Sequence, residues 1–171
     1  MNRRNVVSLC AVTALGFALL PGSAVAQQKS LKDQLVGTWT VVSWEQVFPD
    51  GRKFQRFGAN PKGVHVFDAK GNYVVMFARA DLPKFASRDP MKTTPEENKA
   101  VMEGTIAYYG TYTVDEATKV VTLKADASSF PNQIGVDNKR TITSLTVNEL
   151  KYQNTTALTG GQIYIVFKRA N

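Results

Sequence analysis

The chain has 171 residues, 43% of them hydrophobic and 20% charged, with a net charge of +7, one cysteine and one histidine. That length holds one domain, and the composition excludes wholesale disorder. A lone Cys and a lone His exclude a disulfide-dense scaffold, a cysteine-cluster zinc site and multi-histidine metal centres.

Met1-Asn2-Arg3-Arg4 is basic, Val6 to Leu20 is largely apolar, Pro21-Gly22 breaks the run, and Ala24-Val25-Ala26 supplies small residues. This layout predicts a secretory signal peptide over residues 1–26, cleaved before Gln27, and a mature domain over 27–171. Cys10 lies inside the apolar run instead of after it, so no lipid anchor is expected. Cleavage removes two arginines and the only cysteine, leaving 145 residues at a net charge of +5. Without disulfides such a domain rests on its core, and a chain of this size buries about two-thirds of its unfolded surface. The positive charge is spread without a stripe, so a nucleic-acid partner is not expected. The mature body has no run of eighteen or so apolar residues, so stable membrane insertion is not expected either.

Ser30 to Val36 reads as a short amphipathic helix stopped by Gly37. A long β-branched and aromatic strand follows over Trp39 to Val47, ended by Pro49-Asp50-Gly51. Lys53–Phe57 is a weaker strand. Gly63–Phe67 and Asn72–Arg79 flank Asp68-Ala69-Lys70-Gly71 as a hairpin. Asp81 to Thr94 reads as a long loop. Thr94-Pro95-Glu96-Glu97 then opens a helix, with Thr94 as N-cap, Pro95 at the first helical position and Glu97 completing a capping box; the helix ends near Gly104. Strands resume at Thr105–Val114, Lys119–Ala125, Lys139–Val147, Glu149–Thr155 and Gln162–Arg169. Short turns force neighbouring strands antiparallel. The expected fold is therefore all-β, an antiparallel up-and-down barrel of eight to nine strands with a short N-terminal helix and one inserted helix. A β-sandwich is the competing arrangement.

Gly37-Thr38-Trp39 after a short helix resembles the G-x-W signature of the lipocalins. The resemblance implies that Trp39 plugs the closed end of the barrel, with Lys168 or Arg169 of the last strand lying across it. Further segments follow in order: Arg79 to Ser87, Thr94 to Glu97, Gly104 to Asp115, and Phe130-Pro131-Asn132-Gln133-Ile134-Gly135 with Arg140 after them. Together they are similar to the bacterial and fungal lipocalin-like domain family over about Leu35 to Lys168. That similarity implies a barrel with an internal cavity and no common reaction. Leu82 stands where a second arginine is frequent in the family, and Leu123-Lys124 replaces a histidine-containing pair.

If Trp39 faces inward, strict alternation places Val41, Ser43, Glu45 and Val47 inside, and Thr40, Val42, Trp44 and Gln46 outside. Ser43 and Glu45 then become interior polar groups, with Glu45 contacting ligand, pairing with Arg79 or Arg140, or lying in a solvated mouth. Tyr108 and Tyr112 share a strand face with Gly110, which suggests close approach of a ring or ligand there. His65, mid-strand and unaccompanied by other ligating groups, reads as a hydrogen-bonded structural residue. Asn132 sits in a Phe-Pro-Asn corner, and the Arg79–Arg88 loop forms either a lid or a solvated surface.

The expected function is an exported binding protein for a small apolar or amphipathic ligand. Polar contacts would come from Ser43, Glu45, Arg79, Tyr108, Tyr112, Asn132 and Arg140, while Gly37, Trp39 and Arg169 seal the floor. No catalytic residue, metal or cofactor is assigned. Two alternatives stay open: a metal-independent isomerase or cyclase using Glu45 or a tyrosine, and an exported barrel that inhibits a hydrolase through a protein interface.

Overall fold

The computed structural model describes residues 29–154 and 160–170. The expected signal peptide, residues 1–26, lies outside the described residues.

Ser30 caps the first helix, α1 (Leu31–Leu35), by accepting from the Asp33 amide. Nine strands follow: β1 (Gly37–Val47), β2 (Lys53–Phe54), β3 (Lys62–Phe67), β4 (Asn72–Ala78), β5 (Thr105–Asp115), β6 (Val120–Ser128), β7 (Asp137–Leu145), β8 (Glu149–Asn154) and β9 (Gln162–Arg169). Every ladder is antiparallel, and β1 pairs with both β3 and β9, so eight strands close into a barrel. Closure removes the open edges that a sandwich would keep. The ninth strand, β2, is an extra two-residue pairing on the far half of β1.

Helix α2 (Pro95–Gly104) is inserted between β4 and β5 and begins with the expected capping box of Thr94 and Glu97. A short 3-10 turn, Pro90–Lys92, interrupts the preceding loop. The hairpins 68–71, 116–119 and 146–148 are short and gather at one end with α1. At the opposite end lie the long connections 48–61, 79–104 and 129–136.

The expected phase of β1 needs one correction. Its ladder with β9 slips between Val41 and Ser43, so one extra residue is accommodated at Val42. A bulge reverses the alternation downstream because side-chain direction repeats every two residues. Trp39 and Val41 face in as expected, but beyond the bulge it is Trp44 and Gln46 that are buried. Ser43 and Glu45 turn to the outside.

Gly110 also differs from expectation. A Cβ there would lie 2.0 Å from the Lys124 carbonyl oxygen, beside a second bulge in the β5–β6 ladder. The close neighbour is backbone, neither a ring nor a ligand.

Candidate functional site

The closed end is built on Trp39, which is wholly buried and donates its indole N–H to the Leu35 carbonyl at 2.8 Å. The Arg169 guanidinium lies over the indole, 4.1 Å from its centre. The same guanidinium donates to the carbonyls of Gln34 (2.7 Å), Val36 (2.9 Å) and Val147 (2.6 Å), tying the first helix and its C-cap to the β7–β8 hairpin. Gly37 is required here: its φ is +132°, and a Cβ would meet Arg169 Nη1 at 2.7 Å. Tyr112 belongs to this floor too, donating to the Asp68 carbonyl at 2.8 Å and packing edge-on against Phe67.

Above the floor the barrel is filled by an aromatic layer. His65 stacks on Phe67 at 4.0 Å and is ringed by Tyr73, Tyr152 and Phe167. It is fully buried, and its Nδ1 lies 3.0 Å from the Tyr152 hydroxyl. Burial, with the positive charge of Arg140 nearby, pushes its pKa well below the ordinary 6.5, so it is neutral. Burial also drives the phenols of Tyr73 and Tyr152 far above their usual range. Arg140 itself is only 6% exposed. It donates to its neighbour's carbonyl, Lys139, at 3.1 Å, and its charge is close enough to the Tyr152 hydroxyl to oppose part of the upward push of burial. Three buried polar atoms here have no hydrogen-bond partner among the described residues: His65 Nε2, Tyr73 Oη and Arg140 Nε.

Beyond this layer the barrel opens into a cavity of about 860 Å³. Apolar walls come from Trp44, Phe57, Phe77, Ile106, Ile163 and Ile165, and the polar groups include Gln46, Tyr108, Gln133, Asn138, Arg140 and Asn154. Phe57 fills the gap where β1 has parted from β3, edge-on to Trp44 at 5.4 Å and to Phe77 at 5.7 Å. Gln46 donates to the Gly160 carbonyl across the mouth. The rim carries Phe54, Arg79, Asp81, Met102, Glu103 and Phe130. Arg56 fixes the inserted helix against this rim, donating to the carbonyls of Met102 (2.9 Å), Glu103 (3.0 Å) and Thr105 (2.9 Å). Those are the orphan acceptors of a helix C-terminus, and a guanidinium satisfies three at once.

The sequence matches the lipocalin-like domain family over residues 36–169, most of the chain. The chain belongs to that family. Among solved structures it is similar to a lipocalin-like protein from Bacteroides uniformis, at 11% identity and a TM-score of 0.46, covering 80% of this chain and 99% of that one. A second B. uniformis protein, solved by NMR, shows 20% identity and a TM-score of 0.45 over 84% of this chain and 94% of that one. A designed fluorescence-activating β-barrel shows 12% identity and a TM-score of 0.44, over 83% and 99%. No curated protein matches the chain.

Of the seven candidate contacts, this lipocalin-like barrel brings three to the cavity: Tyr108, Arg140 and Arg79. Arg79 stands at the rim, held by two hydrogen bonds to Asp81 at 2.9 and 2.8 Å that raise its own pKa and lower that of Asp81. Glu45 is outside and pairs with Lys53 at 3.0 Å, not with an arginine. Ser43 faces outward beside it, for the same bulge. Tyr112 is part of the floor, and Asn132 is exposed in the 3-10 turn Pro131–Gln133, where Gln133 and Phe130 reach the cavity instead. Trp44, Gln46 and Arg56 were not among the expected site residues. The spacing of Trp39 and Trp44 carried the missing signal: five residues apart, both rings enter one core only if the strand slips a residue between them. Among the described residues no helix is long and apolar enough to cross a membrane, and no three ligating side chains cluster around a metal position.

Proposed function

We propose that this lipocalin-like barrel is an exported binding protein that holds a small apolar or amphipathic ligand in its cavity. The observation that carries the reading is the cavity: about 860 Å³, sealed below by Trp39 and Arg169 and reached from the rim. That volume lies in the range of roughly 300–1,000 Å³ typical of small-molecule sites. Its apolar walls supply affinity through burial, and its few polar groups orient one end of the ligand. The basic, apolar and Ala-x-Ala segments of residues 1–26 support export.

An isomerase or cyclase reading draws less support. Glu45, the carboxylate nominated for proton transfer, is outside the barrel, and the Tyr152 hydroxyl is held protonated far above neutrality.

Native mass spectrometry of protein purified from its own host tests the proposal. A retained small molecule of constant mass, on a chain beginning at Gln27, is the expected result. An empty protein that also fails to bind the neutral lipophilic dye Nile red overturns the binding reading, and a chain still carrying Met1 overturns export by cleavage.

A further inference from the structure

We infer that the ligand is a monocarboxylic acid whose head group enters first and seats on Arg140 at the inner end of the cavity. The inference rests on the binding reading and deepens it.

Arg140 is the least expected residue in the interior. Guanidinium groups are almost never nine-tenths buried without an acidic partner, because desolvation of the charge must be offset. Among the described residues six ion pairs occur, and none involves Arg140. The groups that sense its charge, His65, Tyr73 and Tyr152, are neutral at physiological pH; Asp126, whose charge also reaches Tyr73, is exposed and makes no ion pair with Arg140. Its Nε–H has no acceptor, although the residue lines the cavity.

The surrounding groups favour an acceptor over a donor. His65 Nδ1 and the Tyr152 hydroxyl hydrogen-bond each other at 3.0 Å, which satisfies that pair and leaves His65 Nε2 without a partner among the described residues. Tyr108, on the cavity wall, and Tyr73, edge-on to it at 5.8 Å, carry further hydroxyls. A carboxylate accepts only, and its two oxygens match the guanidinium fork.

Net charge fixes the valence. Arg140 is one positive charge with no ion-pair partner among the described residues. Of the other cations lining the cavity, Arg56 is already committed to three helix-end carbonyls at the rim, and Arg79 is neutralised by Asp81. One positive charge suits a monoanion. A phosphate dianion would bring an unmatched second charge into the barrel. With Arg140 at the inner end and Trp44, Phe77, Ile106 and Ile165 along the walls, the apolar part of the acid extends toward the rim.

The test is displacement of Nile red from the protein by decanoic acid and by decan-1-ol, which share a chain and differ in the head group. The expected result is that the acid displaces the dye about 10- to 100-fold better than the alcohol, the range for a charge-assisted hydrogen-bonded head group. Arg140→Met should abolish that preference and leave the alcohol nearly unchanged, while Arg79→Met should retain it. Arg140→Met should also melt at a temperature at least as high as the unliganded parent, since it removes a buried, unmatched charge. Equal displacement by acid and alcohol in the parent overturns the carboxylate inference and leaves the binding reading standing. A collapse in melting temperature for Arg140→Met overturns it as well, because the arginine would then be structural. Failure of Nile red and of both competitors to bind overturns the binding reading itself.

Discussion

The two tryptophans face the same interior and should nevertheless differ sharply when truncated. Trp39 has no exposed surface, gives its N–H to Leu35 and lies under Arg169. Replacing a buried aromatic by alanine costs about 3–5 kcal/mol. The Leu35 carbonyl left without its donor adds to that, as does the lost cation–π contact, worth about 0.5–2 kcal/mol. Trp39→Ala should therefore fall at or above the top of the range. Trp44 packs on Phe57, but its inward side lines open cavity, so fewer neighbours lose contact when it is removed. Trp44→Ala should cost less than half as much, roughly 2 kcal/mol, and its main effect should be weaker ligand binding. Urea unfolding followed by far-ultraviolet circular dichroism measures both, with the denaturant slope checked for constancy. Equal losses for the two variants would refute the reasoning, because Trp44 would then be packed on all sides and the cavity would not extend to it.

Stability should depend on pH through His65. Its folded pKa lies well below 6.5, so between that value and 6.5 the unfolded chain binds the extra proton and stability falls as pH falls, by up to about 1.4 kcal/mol per unit. His65→Phe should flatten the difference in urea midpoints between pH 6.5 and 5, and an unchanged slope would mean the imidazole is charged when folded. Arg169→Met should lose about 3 kcal/mol through its three carbonyl partners, and Arg169→Lys should restore little because one ammonium cannot span all three; thermal melts decide it. Gly110→Ala adds a Cβ 2.0 Å from the Lys124 oxygen, so about 2–4 kcal/mol should be lost; a neutral substitution would show that the β5–β6 bulge can open without cost.

Most of the barrel is written in local chemistry. Alternating apolar residues, short polar turns and the Thr94–Glu97 capping box each define an element with little tertiary help, and these elements occur where the sequence puts them. The floor is legible through the resemblance, which points to Gly37 and Trp39 and leaves Lys168 or Arg169 as the covering cation; the structure places Arg169 there. The wall of the cavity was harder to read. A single extra residue at Val42 exchanges the two faces of β1 downstream, which sent the expectation to Ser43 and Glu45 and away from Trp44 and Gln46. No glycine or proline marks the slip. Only the odd spacing of two large aromatics, and the doublet Val41-Val42, record it. Arg56 was illegible for another reason: its three partners are backbone carbonyls some fifty residues away, and backbone acceptors leave no trace in sequence.

The distribution of satisfied and unsatisfied groups separates the two ends of the barrel physically. At the floor, Trp39, Tyr112 and Arg169 all have partners, and the chain there runs through short hairpins. Among the described residues the three unpartnered buried side-chain atoms, His65 Nε2, Tyr73 Oη and Arg140 Nε, all occur in the layer above it. Buried polar atoms without partners are few in native proteins, and each one subtracts from stability. If the layer served packing alone, apolar residues of similar volume would stabilise it better than an arginine beneath a cavity. A closed end that fixes strand register allows the inner layer to keep groups whose partners are not supplied by the chain itself. Preorganised donors of this kind lose little freedom on binding, so under the proposed carboxylate binding the stability forgone in the empty barrel is recovered as affinity when an acceptor enters.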